Sequence, residues 1–266
     1  MGCLTYKHSF NSGDLLTMMP GMQKIYRETG QKAIILQRLN LPADYGHNIP
    51  HPVKNENGVQ VCMNKQMFDM MKPLIEAQEY VERFDVWEGE SVDFDFDLTR
   101  MNAQMPLPGG SIHHWASLIF PQLECDLSKQ WIECGLGYGS KKIIINRTGR
   151  YQNPYINYFF LKEHQDHIEF AGTEKEHEMF CNEWGLNIRY LKVDNFLALA
   201  KHISNSRFMV GGQSLAWHIS DGMKQRRILE VCSAYPNTFP TGANGYSFIS
   251  QVSLEFQFNK LLKETE

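Results

Sequence analysis

The fold is decided by His8-Ser9-Phe10-Asn11-Ser12-Gly13-Asp14-Leu15-Leu16-Thr17-Met18-Met19-Pro20. The stretch predicts a strand end, a tight Gly turn and a helix start. Before it, Cys3-Leu4-Thr5-Tyr6-Lys7-His8 is short and partly apolar, as a first buried strand would be. After it, Leu15, Leu16, Met18, Met19, Met22 and Ile25 recur at helical spacing. Asp14 therefore falls at a helix start beyond the carboxyl end of a strand, which is where open α/β sheets bind ligands. Two readings of Asp14 stay open on position alone. Its carboxylate can cap the helix by accepting from first-turn N–H groups, or it can do chemistry.

Working outward, the helix is predicted to end at Gly30, a good C-terminal cap. Lys32-Ala33-Ile34-Ile35-Leu36-Gln37 then reads as a second strand. A β-α-β unit this compact favours a parallel sheet with a right-handed crossover. Residues 40–52, with three prolines, form a loop, and Asn57-Gly58 centres a small hairpin over 53–61. A Met-rich helix spans 64–77, followed by a strand over 80–87. Asp93, Asp95 and Asp97 alternate with aromatics and share one face of a strand. A paired strand edge explains them as well as a metal site does, because hard cations need more oxygen ligands than one face supplies. Residues 105–110 form a flexible loop, and His113-His114 are adjacent and so a poor chelate.

Cys134-Gly135-Leu136-Gly137-Tyr138-Gly139-Ser140 is glycine-dense and is taken as an interdomain linker. A second set of strands and helices follows, with strands over 142–146, 167–172, 189–192, 208–212 and a last one over 227–232. A helix over about 247–263 closes the chain. The expected organisation is α/β: an N-terminal Rossmann-like domain over 1–135, a C-terminal one over 136–246, and a terminal helix over 247–266 that packs back on the first.

The totals are those of an ordinary globular chain: 266 residues, 42% hydrophobic, 21% charged, net charge −4. There is no basic excess of the sort a general polyanion binder shows. None of the six cysteines forms a C-x-x-C pair, which argues against structural zinc and for reduced thiols in a cytoplasmic setting. No apolar run reaches the ~18 residues of a membrane span and no secretory signal is evident.

Arg147, Thr148 and Arg150 crowd one strand-to-loop corner. Two guanidiniums and a hydroxyl suit a diphosphate, and a surface ion-pair cluster is the equal alternative. Glu176, at a helix start, reads either as an acid favoured by the helix dipole or as an acceptor for ribose hydroxyls. Gly211-Gly212-Gln213-Ser214 places another helix N-terminus after a strand, a standard anion seat. His218, one turn on, is either packed or a phosphate donor.

In order along the chain, several of these motifs resemble one family. They are Ser12-Gly13-Asp14-Leu15-Leu16 with Pro20, Phe170-Ala171-Gly172-Thr173-Glu174-Lys175-Glu176, the Leu197-Ala198-Leu199-Ala200-Lys201 helix, and Val210-Gly211-Gly212-Gln213-Ser214 with His218. The set resembles glycosyltransferase family 9, which includes the ADP-heptose:lipopolysaccharide heptosyltransferases. That resemblance implies a GT-B fold, two Rossmann-like domains facing across a cleft, and inverting transfer without a metal. It implies no cofactor: a nucleoside-diphosphate sugar is the co-substrate and a saccharide the acceptor. By the same resemblance Asp14 matches the catalytic base, with Ser12 and Gly13 in its loop. Arg147, Thr148, Arg150, Gln213, Ser214 and His218 fall on the donor side, and Glu176 matches the acid that contacts the ribose. The family's Asp and Gly are replaced here by Gln213 and Leu215, at a corner near the donor's sugar. Two alternatives accompany this reading: a glycosyltransferase acting on a modified nucleic-acid base, and a nucleotide-sugar-binding protein without transfer activity. Peripheral membrane contact is compatible with it.

Overall fold

A computed structural model describes residues 2–43, 51–100, 110–139 and 141–265. The predicted loops over 40–52 and 105–110, and the end of the Gly-rich run at 140, fall partly outside them. The fold is α/β, with two sheets whose strands are all parallel.

The first compact unit comprises Met1–Leu127 with Asn195–Leu197. Strand β1 (Cys3–His8) leads through Ser9–Asn11 into helix α1 (Ser12–Thr29), and β2 (Lys32–Gln37) follows. Helix α1 stops because Gly30 adopts φ 73°, a left-handed turn, and donates its N–H to the Tyr26 carbonyl. Helix α2 (Lys65–Glu76), strand β3 (Val81–Val86), strand β4 (Phe96–Asp97) and the short helix α3 (Trp115–Ile119) complete the unit. Its sheet order is β3-β2-β1-β4. Leu15, Leu16, Met19 and Met22 of α1 are buried, as are Phe68, Met71, Leu74 and Ile75 of α2, so the Met-rich stripes are core. The acidic run is explained by pairing. The Asp95 carboxylate accepts from Thr5 N at 2.7 Å and Thr5 Oγ1 at 2.9 Å, and Asp97 faces Lys7 at 3.6 Å. Among the described residues, no group of three His, Cys, Asp or Glu is placed to hold a metal ion.

The second unit comprises Ser128–Asp194 and Ala198–Glu266. It contains β5 (Ile143–Asn146), β6 (Ile168–Phe170), α4 (Glu174–Trp184), β7 (Arg189–Tyr190), α5 (Phe196–Asn205), β8 (Met209–Gly211), α6 (Leu215–Gly222), β9 (Arg227–Glu230), β10 (Gly245–Phe248) and α7 (Gln251–Glu264). Helix α5 begins in the stretch assigned to the first unit and runs on into the second. The sheet order is β10-β9-β8-β5-β6-β7. Read from the other edge, the first strand of the unit has the second and third on one side and the last three on the other. This is the doubly wound Rossmann order, with its switch point between β5 and β8.

Several features differ from the sequence expectation. A strand, β10, lies beyond the one predicted to be last, and pairs in parallel with β9. A 3₁₀ segment, Phe159–His167, precedes β6. The Gly-rich run lies inside the second unit, packed on α5: a Cβ at Gly139, where φ is 96°, would come within 2.4 Å of His202 Nδ1, so side chains are excluded by contact as well as by backbone. The units divide between Leu127 and Ser128, where the sequence placed a junction at 135/136. Helix α7 buries Leu254, Phe258 and Leu261 in the second unit's own core, beside Ile143, Ile145, Phe208 and Ile228.

Candidate functional site

Asp14 is the third residue of α1, not its cap. Asn11 is the cap, and its backbone N and Nδ2 both donate to Asp14 Oδ2 at 3.1 Å. The two bonds hold the carboxylate in one orientation in the first turn of the helix. Ser12 is buried and Gly13 half-buried at the start of the same helix.

Beneath this turn sits a residue the motif reading passed over. His8, the last residue of β1, is fully buried, and its Nδ1 lies 2.6 Å from Gln37 Oε1. The Gln37 amide is oriented by its other end, since Nε2 donates to the Arg38 carbonyl at 2.9 Å. His8 Nδ1 therefore carries the proton and Nε2 is a bare lone pair, with no partner among the described residues. Burial pushes the His8 pKa down to about 4, against a smaller opposite pull from the Gln37 hydrogen bond, so the ring is neutral near pH 7. A His closing a partly apolar first strand was the signal the sequence offered.

In the second unit the carboxyl ends of β5, β8 and β9 converge. Ser214 caps α6, and its Oγ also donates to Asn146 Oδ1 at the end of β5, spanning the switch point. Asn146 Nδ2 in turn donates to the Ala171 carbonyl beyond β6 at 2.5 Å. Gln213 ties in the third strand. Its Nε2 lies 3.0 Å from the Tyr235 carbonyl and 2.8 Å from Asn237 Oδ1, while its Oε1 accepts from Cys232 N at 3.0 Å. The side chain is thus a staple on the loop after β9, a role that needs an amide's donor and acceptor together.

Arg147 and Arg150 part company. The Arg147 guanidinium, expected on the diphosphate, is turned inward: the residue is 5% exposed. Its Nε and Nη2 donate to the Glu230 carboxylate at 3.0 and 3.2 Å, and Nη1 lies 3.6 Å from Glu183. Glu230 also accepts from Asn153 N at 2.7 Å and from the Tyr158 hydroxyl at 2.6 Å. Burial alone would lower the Arg147 pKa, but Glu230 and its neighbours more than offset this, so it stays charged. Arg150 is half-buried and lies with its guanidinium carbon 5.5 Å from the Tyr151 ring. Thr148 Oγ1 donates to the Arg150 carbonyl at 3.1 Å and shapes the turn.

Glu176 repeats the arrangement at Asp14. It is the third residue of α4, and its Oε2 accepts from Thr173 N and Oγ1, both at 2.9 Å, in a reciprocal capping box. His218 is 5% exposed on α6. Burial lowers its pKa to about 4 despite the opposing charge of Asp221, so it is neutral near pH 7.

Within the second unit, then, Gln213, Ser214 and the N-terminus of α6 stand at the switch point, and Arg150 belongs to the loop that follows β5. The unit is Rossmann-like α/β, and the strand ends at such a switch point are where folds of this class bind ligands. No family model and no curated protein sequence matches the chain. Solved structures do. The glycosyl transferase family 9 protein of Veillonella parvula aligns with a TM-score of 0.56 at 8% identity, covering 100% of this chain and 90% of that one. Escherichia coli heptosyltransferase WaaC, with ADP-2-deoxy-2-fluoro heptose, aligns at 0.59 and 10% identity over 99% and 100%. TibC of enterotoxigenic E. coli, described as an iron-containing dodecameric glycosyltransferase, aligns at 0.58 and 9% over 100% and 79%. The chain carries the fold of these glycosyltransferase structures.

Proposed function

We propose that the protein is an inverting, metal-independent glycosyltransferase that moves a sugar from a nucleoside-diphosphate sugar to the hydroxyl of a saccharide acceptor, of glycan or lipopolysaccharide type. What supports this reading is the switch point of the second unit: the N-terminus of α6 stands at the carboxyl ends of β5 and β8, and Arg150 belongs to the loop that leaves β5. A full-length likeness to structures containing ADP-heptose analogues supports the donor class.

In this reading the second unit holds the donor. Arg150 and the first N–H groups of α6 stabilise charge growing on the leaving diphosphate, the contribution a metal ion supplies elsewhere. Arg147 anchors the corner through Glu230 instead of meeting the phosphates. Glu176 accepts from the ribose through the oxygen its cap leaves outside the hydrogen-bonded pair. In the first unit, Asp14 takes the proton of the acceptor hydroxyl as the bond to the anomeric carbon forms. The bond to the diphosphate oxygen breaks with its electron pair, and the configuration at that carbon inverts.

The test is Asp14→Ala assayed with ADP-, GDP-, UDP- and CDP-sugars and saccharide acceptors. Transfer should be abolished while nucleoside diphosphate binding persists. Near-wild-type transfer would remove Asp14 from the mechanism. Transfer or hydrolysis of a labelled nucleotide-sugar by the wild type would exclude the alternative of a binding protein without transfer activity.

A further inference from the structure

Two tyrosines distant in sequence flank the β8–α6 turn. Tyr151 follows β5 and Tyr235 follows β9, and their rings meet edge to face with centroids 5.8 Å apart. Tyr235 is 48% exposed, although its backbone is fixed: its carbonyl accepts from Gln213 Nε2 and its N–H donates to the Cys232 carbonyl. Tyr151 sits at φ 55°, a left-handed conformation that a side chain bearing a Cβ adopts only where surroundings hold it. Conformations of that sort concentrate where ligands are clamped. The molecule thus keeps a large aromatic face open to solvent, and spends an unfavourable backbone conformation to brace it.

Strand order says which part of a ligand would meet this face. The neighbours run β9-β8-β5-β6. If the proposed function holds, the ribose lies over β6, beside Glu176, and the diphosphate over β5 and β8, beside Arg150 and α6. Ribose and transferred sugar occupy opposite ends of the diphosphate, so the sugar falls over β8 and β9. That is where Tyr235 stands. One face of a pyranose presents C–H groups and is apolar, while its hydroxyls point outward. An aromatic ring with a polar tip matches both features, and a few fixed aromatic and polar groups are what orient a small ligand in a site.

We propose that Tyr235, stapled by Gln213 and braced by Tyr151, is a specificity-determining residue that stacks on the pyranose of the donor. This rests on the glycosyltransferase reading and adds the class of group recognised on the β9 side.

The experiment compares calorimetric affinities for ADP, GDP, UDP and CDP with those for their glucosyl or mannosyl conjugates. The wild type should bind one conjugate more tightly than its free diphosphate. Tyr235→Ala should remove about three- to tenfold of that conjugate's affinity and leave the diphosphate within twofold. Tyr235→Phe should retain the increment, since the ring and not the hydroxyl supplies it. An unchanged increment in Tyr235→Ala overturns the stacking role while leaving the glycosyltransferase reading intact. Equal losses for diphosphate and conjugate also overturn it, by placing the ring on the nucleotide. A wild type that binds no nucleotide of either kind removes the function and this inference together.

Discussion

A carboxylate at the third position of a helix can serve structure and chemistry with the same atoms. Asp14 and Glu176 each accept from the cap residue, at 3.1 and 2.9 Å. Replacing either by Ala should therefore cost stability of about 1 kcal/mol apart from any loss of activity, measurable by urea denaturation. Arg147 and Arg150 show the opposite case, in which neighbours of the same type take different roles. Both are basic residues at one corner of the sequence, and spacing alone cannot separate them. The partner that claims Arg147 lies 83 residues away, at the end of β9. Truncating Arg147 strands the buried Glu230 carboxylate and should destabilise the protein by about 3–5 kcal/mol. Arg150→Ala should leave the midpoint of denaturation nearly unchanged and weaken nucleoside diphosphate binding by tenfold or more. Unchanged affinity by calorimetry would take Arg150 out of the phosphate site.

At the scale of elements, what the sequence made legible was punctuation. Gly30, Thr173 and Ser214 mark helix ends through local backbone chemistry, and each lies where a cap or stop is formed. Strands with apolar runs, such as Ile143–Asn146, were equally plain. Strand β10 was not, because Gly245-Tyr246-Ser247-Phe248 has no apolar run and only one buried side chain. Its place comes from the Arg227 guanidinium, fully buried, which donates to Asp221 at 2.6 Å and to the Ala243 carbonyl at 3.1 Å and so fixes the chain entering the strand. Gln213 was legible only as a departure from a family motif. Its meaning lies in the loop after β9, which no local pattern reveals. Gln213→Asp tests this directly. The variant keeps an acceptor but loses the donor, and it turns a carboxylate toward the Tyr235 carbonyl and Asn237 Oδ1. Hydrogen exchange should quicken over 231–238 while α6 stays protected, with a stability loss of about 1–3 kcal/mol. An unaltered exchange pattern would show that the loop does not depend on the amide.

The molecule as a whole carries a buried neutral histidine in each compact unit, His8 at the end of β1 and His218 on α6. Both have pKa values lowered from 6.5 to about 4, chiefly by burial. A group that binds protons more weakly when folded contributes stability that is fully present above its unfolded pKa, near 6.5. That stability is lost as pH falls toward the folded value near 4. Each histidine should thus withdraw about 2 kcal/mol between pH 7 and pH 5. Gradual loss of stability over that window is therefore expected well before the range in which carboxylates of ordinary pKa titrate. Because the two rings lie in different units, their effects should add. His8→Gln and His218→Gln should each flatten the pH dependence of the denaturation midpoint by a similar amount, and the double variant should flatten it by the sum. The slope, and not absolute stability, is the readout, so a variant that is simply less stable still answers the question. A double variant as steep as the wild type between pH 7 and pH 5 would show that these rings are not what acid acts on.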